Sequence, residues 1–156
     1  MIELKIIKSG EQIEQVRILF KEYARTLDFD LYFQDFDNEL VNLPGEYSLP
    51  EGCLLLALYS GKIAGCAALR QIDQKTCEMK RMFVRPNFRR KGIGRAMAEH
   101  LVNFARGYGY ERMMLDTIDT MKPAVSLYSS LGFCNAAPYR YNPIKGVAYM
   151  ELRLKP

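Results

Sequence analysis

The stretch that most constrains this chain is Arg89-Arg90-Lys91-Gly92-Ile93-Gly94, held between a strand-like segment and a helical one. Thr76–Val84 reads as a strand that Pro86 stops, and from Gly92 onward Ile93, Met97, Leu101 and Phe104 recur at helical spacing until Gly107 and Gly109. The first-turn N–H groups of a helix have no intrahelical partners and carry the positive end of its dipole. Glycines at 92 and 94 leave those groups approachable, while Arg89, Arg90, Lys91 and Arg95 add charge-assisted donors. A diphosphate suits this arrangement better than a carboxylate or a base. A P-loop would need G-x-x-x-x-G-K-[ST], which the residues after Gly94 do not supply. A dinucleotide fingerprint would need a parallel βαβ unit, whereas the strands before this loop read as an antiparallel meander. The bland alternative is a basic helix start on a solvated surface.

The remaining chain reads as one domain, because 156 residues that are 49% apolar and 26% charged can bury one sizeable core and not two. Residues 2–7 alternate as a half-buried strand. Ser9 with Gln12 then makes a capping box for a helix in which Ile13, Val16, Phe20, Tyr23, Ala24 and Leu27 form one apolar stripe. In residues 28–39 the aromatics Phe29, Tyr32, Phe33 and Phe36 interleave with Asp28, Asp30, Asp35, Asp37 and Glu39, and a short helix is expected over 35–43. Cys53–Tyr59, 62–72 and Thr76–Val84 follow as the meander, with Ser60-Gly61 as the tight turn of its first hairpin. Met113-Met114-Leu115 is a short buried strand. Asp119 or Thr120 is the expected cap of a helix that carries Pro123 in its first turn and ends before Gly132. Segments 134–139 and 147–154 read as a closing strand pair.

Charge and cysteine usage narrow the function. A net charge of +4 does not call for nucleic acid, yet Lys80, Arg81, Arg85, Arg89, Arg90, Lys91 and Arg95 crowd residues 80–95 with no acid among them. Cys53, Cys66, Cys77 and Cys134 show no C-x-x-C spacing, so reduced, buried thiols are expected, with neither a disulfide framework nor a metal site. No stretch has the make-up of a secretory signal or the ~20 apolar residues of a membrane span, which makes a cytoplasmic protein without a membrane partner the expectation.

Segment 77–99, which contains the Arg-x-x-Gly-x-Gly loop, resembles the acetyl-CoA-binding core motif of the GNAT superfamily of N-acetyltransferases. Downstream, Ala124-Val125-Ser126-Leu127-Tyr128 leading to Gly132-Phe133 resembles that superfamily's second signature, and the order of elements agrees over nearly the whole chain. The resemblance implies an α/β layered GNAT acyl-CoA N-acyltransferase fold over residues 1–156. Its mixed, mostly antiparallel sheet of about six or seven strands, flanked by about four helices, would splay between 76–84 and 111–117. Acetyl-CoA would enter that split as cosubstrate. Backbone groups of Met82, Phe83 and Val84 would pair with its pantetheine arm, and the N–H groups of Arg89, Arg90, Lys91, Gly92, Ile93, Gly94 and Arg95 would hold its pyrophosphate. The implied activity is direct transfer of acetyl from acetyl-CoA to a primary amine of a small molecule, amino acid or peptide. A non-catalytic acyl-CoA sensor on the same fold is the alternative. Similar proteins commonly form homodimers through their closing strands.

Acetyl transfer needs a neutral amine, stabilisation of an oxyanion and a proton for the leaving thiolate. Tyr128, at the superfamily's tyrosine position, is the candidate general acid, and its alternative role is core packing. Glu78 is the first choice for general base, with a pKa raised by burial, against the alternative of an ion pair with a neighbour such as Lys80. A covalent route through Cys77 or Cys134 lacks a base partner in the sequence, and His100 reads as a surface residue. For the acceptor two options stand: a cationic amine drawn to the acidic-aromatic stretch 28–39, or a carboxylate-bearing one met by Arg140 in Tyr139-Arg140-Tyr141-Asn142.

Overall fold

The structure is a computed structural model that describes residues 1–27, 30–31 and 35–155. Its elements are β1 (Ile2–Ile6), α1 (Glu11–Arg25), α2 (Phe36–Asn42), β2 (Cys53–Tyr59), β3 (Lys62–Gln71), β4 (Thr76–Val84), α3 (Ile93–Tyr108), β5 (Arg112–Ile118), α4 (Lys122–Ser130), β6 (Cys134–Asn135) and β7 (Val147–Arg153). The strands form a mixed, seven-stranded sheet in the order β1-β2-β3-β4-β5-β7-β6, antiparallel throughout except between β4 and β5.

The near-continuous apolar run of β2 is explained by burial on both faces. Cys53, Leu55 and Ala57 face a core completed by Met97, Leu101 and Ala105 of α3 and by Tyr128 of α4. Leu54 and Leu56 face a second core completed by Val16, Leu19 and Phe20 of α1 and by Phe36 and Leu40 of α2. The turn between β2 and β3 has Ser60 and Gly61 both at positive φ, 50° and 81°, as a two-residue hairpin requires. Where β3 meets the end of β4, Gly65 is obligatory, since a Cβ there would lie 2.3 Å from the Phe83 carbonyl oxygen.

Two features of the central strands shape the site. The β3–β4 register steps from Ala68↔Lys80 to Cys66↔Phe83, so β4 carries one extra residue, and Arg81 absorbs it at φ 59°. Such a bulge bends and twists its strand. The parallel pairing of β4 with β5 covers only Thr76↔Arg112, Cys77↔Met113 and Glu78↔Met114, while β5 stays with β7 from Arg112↔Arg153 to Ile118↔Val147. Beyond Glu78 the two strands part, and the edge of β4 that faces β5 has no strand beside it.

Three local expectations are corrected. Helix α1 is capped by Gly10 at φ 84° with no side-chain hydrogen bond, so the Ser9–Gln12 capping box does not form. Helix α4 follows Met121 with no side-chain cap bond, rather than an Asp119 or Thr120 cap, and the Asp119 N–H donates to the Gly146 carbonyl at 2.9 Å. The first closing strand is only Cys134–Asn135 instead of 134–139. After one more bond, Ala136 N–H to Tyr149 O at 2.7 Å, Pro138 has no N–H to continue the ladder. The chain then carries Tyr139 and Arg140 across to Glu78 and Asp116.

Candidate active site

The parting of β4 and β5 opens a cleft lined by Met79, Lys80, Arg81 and Met82 from one strand and by Leu115, Asp116 and Thr117 from the other. Tyr23 of α1 reaches it from one face of the sheet and Tyr128 of α4 from the other. Phe83 is turned away into the α1 core, where its ring meets that of Tyr23 edge-on at 6.2 Å. Val84 gives its carbonyl oxygen to Arg89 Nε at 3.0 Å, which ties the end of β4 to the loop that follows.

That loop leads into α3 with no side-chain cap. Arg90 and Gly92 both have positive φ, 65° and 83°, and alternation of this kind turns successive N–H groups toward one concavity. The first N–H that the helix satisfies is that of Ala96, bonded to Gly92 O at 3.0 Å, so Ile93, Gly94 and Arg95 point theirs outward without helical acceptors. The two glycines differ in kind. Gly92 is required by its backbone, whereas a Cβ on Gly94 would meet only Leu127 at 3.6 Å and Val84 at 3.8 Å, ordinary contacts for the folded chain. Packing therefore does not explain Gly94, which leaves the N–H groups of this cradle open to approach.

The basic run of residues 80–95 divides in two. Arg81 is buried and bonds Glu39 through Nε and one Nη, both at 2.8 Å, with its guanidinium over the Phe36 ring at 5.1 Å. Arg85 bonds both carboxylate oxygens of Glu22 at 2.9 and 2.7 Å. Neither is turned to the cradle. Around the cradle Lys91 lies over the Tyr59 ring at 5.1 Å, Arg95 donates to Ser130 Oγ at 2.6 Å, and Arg89 and Arg90 are exposed.

Tyr128 is buried at 6% exposure in the cleft wall, its ring 5.7 Å from that of Phe133. Burial, followed by the neighbouring Tyr23, holds its phenol above the ordinary range, so it is protonated at neutral pH. Glu78 is fully buried in the last residue pair before the strands part. It accepts from Arg70 Nε at 2.7 Å and from the Tyr139 hydroxyl, and Arg140 lies 3.3 Å away. The expected rise in its pKa is reversed. Burial does push it up, but Lys80, Arg140, Arg70 and the Tyr139 hydroxyl together outweigh burial and hold the carboxyl below its ordinary value. Lys80 shows the converse effect: burial and the adjacent Arg81 bring its amine down to about 7, against the pull of Glu78.

Several other sequence expectations change. Arg140 is not available to a substrate carboxylate, because it forks onto Asp116 at 2.8–3.1 Å while Asn142 bonds the same carboxylate at 3.2 Å. Of the acidic-aromatic stretch, Phe36 and Glu39 clamp Arg81, and Asp28, Phe29, Tyr32 and Phe33 lie outside the described residues. Cys77 is buried with its thiol pushed up to about 12, unsuited to nucleophilic attack, while Cys134 is exposed rather than buried. His100 is half-buried, with Nδ1 unbonded among the described residues, instead of lying on the surface. The parts that sequence reasoning missed, Arg70, Tyr139 and Asp116, come from three separate segments and carry no local motif.

Comparison with known proteins agrees with this geometry. Residues 13–133 match the Acetyltransferase (GNAT) family. An uncharacterized N-acetyltransferase of Schizosaccharomyces pombe is 37% identical, with 98% of this chain and 95% of the relative covered. Another from Dictyostelium discoideum is 33% identical over 97% and 99% of the two chains. Among solved structures, an acetyltransferase of Streptococcus agalactiae superposes with a TM-score of 0.79 at 24% identity, covering 97% of this chain and 98% of that one. One from Salmonella typhimurium, solved with its cofactor acetyl-CoA, gives 0.74 at 19% identity, covering 99% and 95%. With the family match spanning the cradle, the parted strands and the Tyr128 helix together, this chain belongs to the acetyltransferase (GNAT) family.

Proposed function

We propose that the protein is an N-acetyltransferase that moves the acetyl group of acetyl-CoA directly to a primary amine of a small molecule, amino acid or peptide. The observation that carries this reading is the unaccompanied edge of β4, which opens against Tyr128 at one end and runs into the N–H cradle at the other. Acetyl-CoA supplies an activated acyl thioester. The N–H groups of residues 90–95 hold its diphosphate, that of Arg89 being donated to the Pro86 carbonyl, and the free edge at Met82, Phe83 and Val84 hydrogen-bonds its amide arm as an added strand would. The bulge at Arg81 leaves backbone N–H groups near Met82 outside the regular ladder, and these stabilise the developing oxyanion. The neutral nitrogen attacks the thioester carbon, the C–S bond breaks, Tyr128, protonated and buried, donates to the departing sulfur, and the proton shed by the nitrogen restores the phenol.

The amine must be neutral to react. Lys80 reports how this environment treats an amine: burial and neighbouring cations favour its neutral form near pH 7. The substrate ammonium gives its proton to solvent before it attacks. Glu78, its oxygens engaged by Arg70, Tyr139 and Arg140, then acts by holding this cationic wall in place.

The test is a mass-spectrometric search for acetylated products after incubating acetyl-CoA with a panel of amines, amino acids and peptides. Acetylated product with release of CoA is expected. Tight acetyl-CoA binding without any product would favour a sensor module, and the absence of any thermal shift with CoA would overturn both readings.

A further inference from the structure

Arg81 lies within the β4 bulge at φ 59°, a backbone conformation in which an L side chain crowds its own chain. Such a residue persists only where its surroundings hold it. The side chain shows what does so. Only 4% exposed, it bonds both carboxylate oxygens of Glu39 at 2.8 Å and lies over the Phe36 ring at 5.1 Å. Phe36 and Glu39 stand three residues apart on α2, so one turn of that short helix grips β4 at its bulge. The backbone of the same residue is held from β3, where the Cys66 thiol donates to the Arg81 carbonyl at 3.4 Å.

That contact fixes a direction. A peptide group is planar and trans, so the Met82 N–H points opposite to the Arg81 carbonyl and therefore away from Cys66. Met82 itself lines the cleft, beyond the point where β4 and β5 part.

Resting on the acetyl-transfer reading above, we propose that Glu39 is a positioning residue for the reaction: through Arg81 it holds the bulge in the conformation that aims the Met82 N–H at the developing oxyanion. Glu39 touches no reacting atom. Its effect is preorganisation, since a donor that must first be brought into line stabilises the oxyanion less than one already fixed. Arginine suits the clamp because its planar fork meets both oxygens of one carboxylate, which a lysine cannot do. Helix α2 thereby belongs to the working site as well as to the core beneath it.

Glycine at position 81 separates backbone conformation from charge. Glu39→Gln combined with Arg81→Gly, and Glu39→Gln combined with Arg81→Ala, both remove the clamp without leaving a lone buried charge, but only glycine takes φ 59° freely. The probe is acetyl-CoA isotope-labelled at its thioester carbonyl, whose infrared stretch moves to lower frequency when donors polarise it. In the wild-type protein that movement is expected on binding. Glu39→Gln and the alanine pair should lose most of it, whereas the glycine pair should keep most of it, with acetyl-CoA affinity within about threefold throughout. With an acetylated amine from the panel as acceptor, kcat should follow the same order, falling on the order of tenfold or more in Glu39→Gln without a matching rise in the KM for acetyl-CoA. Should Glu39→Gln fail to fold, the two paired variants still decide. An unmoved stretch in wild-type protein that binds acetyl-CoA, a movement that the alanine pair keeps, or one that the glycine pair loses as fully, would overturn the clamp and leave acetyl transfer standing. Absence of any acetyl-CoA binding by the wild-type protein would overturn the transfer reading and the clamp together.

Discussion

Tyr128 lines the cleft and Glu78 lies buried at the strand pair where it begins, and burial pushes both of their pKa values upward; only at Glu78 is that push overcome. If Tyr128 donates the proton, Tyr128→Phe keeps the packing on Phe133 and removes the donor alone. It should lower kcat on the order of 10²-fold while leaving acetyl-CoA affinity and thermal stability unchanged, as steady-state kinetics, calorimetry and melting can check. Glu78 is tested through stability. Because its folded pKa lies below the ordinary 4.5, its ionised form contributes stability that is fully present above that value and fades as pH falls through the lower folded one. Glu78→Gln should therefore cost about 3 kcal/mol in urea unfolding at neutral pH, leaving Arg70 and Arg140 short of a partner, and the gap should narrow below pH 4.5. An undiminished gap at about pH 3 would show that Glu78 is not the ionised partner described here. The sequence showed a glutamate in an apolar strand. Arg70 lies across the hairpin, and Tyr139 and Arg140 arrive from more than sixty positions away, so the sign of its shift was not legible.

At the level of elements, the start of α3 makes the sharpest claim. Gly94→Ala adds a methyl group that the folded chain accommodates, at 3.6 Å from Leu127, so it should melt at or slightly above the wild-type temperature and bind acetyl-CoA more weakly. Gly92→Ala forces a side chain into φ 83° and should lose about 1 kcal/mol without a clash. Melting curves with and without acetyl-CoA separate the two; a Gly94→Ala protein that keeps its full ligand-induced shift would refute the cradle. This loop, β2, the Ser60-Gly61 turn and β4 were all legible in sequence because their signals are local: alternation, a two-residue turn, a proline stop and glycines before a helical stripe. The caps of α1 and α4 were not, since Gly10 and Met121 hold those ends without side-chain bonds and Asp119 is tied to Gly146. The bulge at Arg81 left no sequence sign either, because an arginine at φ 59° is maintained by its buried pairing with Glu39.

Across the whole molecule, a seven-stranded sheet separates two apolar cores, and no helix among its described residues is long and apolar enough to cross a membrane. The cores predict thiol reactivity. Cys53, Cys66 and Cys77 are buried and their thiols are held up by burial, whereas Cys134 is exposed on the short β6. Native alkylation followed by peptide mapping should label Cys134 first and the other three only on opening of the fold, and rapid labelling of Cys77 would contradict this packing. By itself, the sequence determined the order of the elements, the glycine-bearing loop that opens α3 and the tyrosine helix, since each depends on residues close together in the chain whose spacing expresses backbone geometry directly. Only the tertiary structure decided where β4 leaves β5, which cations that parting brings beside Glu78, and that Arg140 is spent on Asp116. Those outcomes depend on charges and burial contributed by distant segments, and electrostatic balance in a buried wall is a property of the assembled neighbourhood, not of any stretch within it.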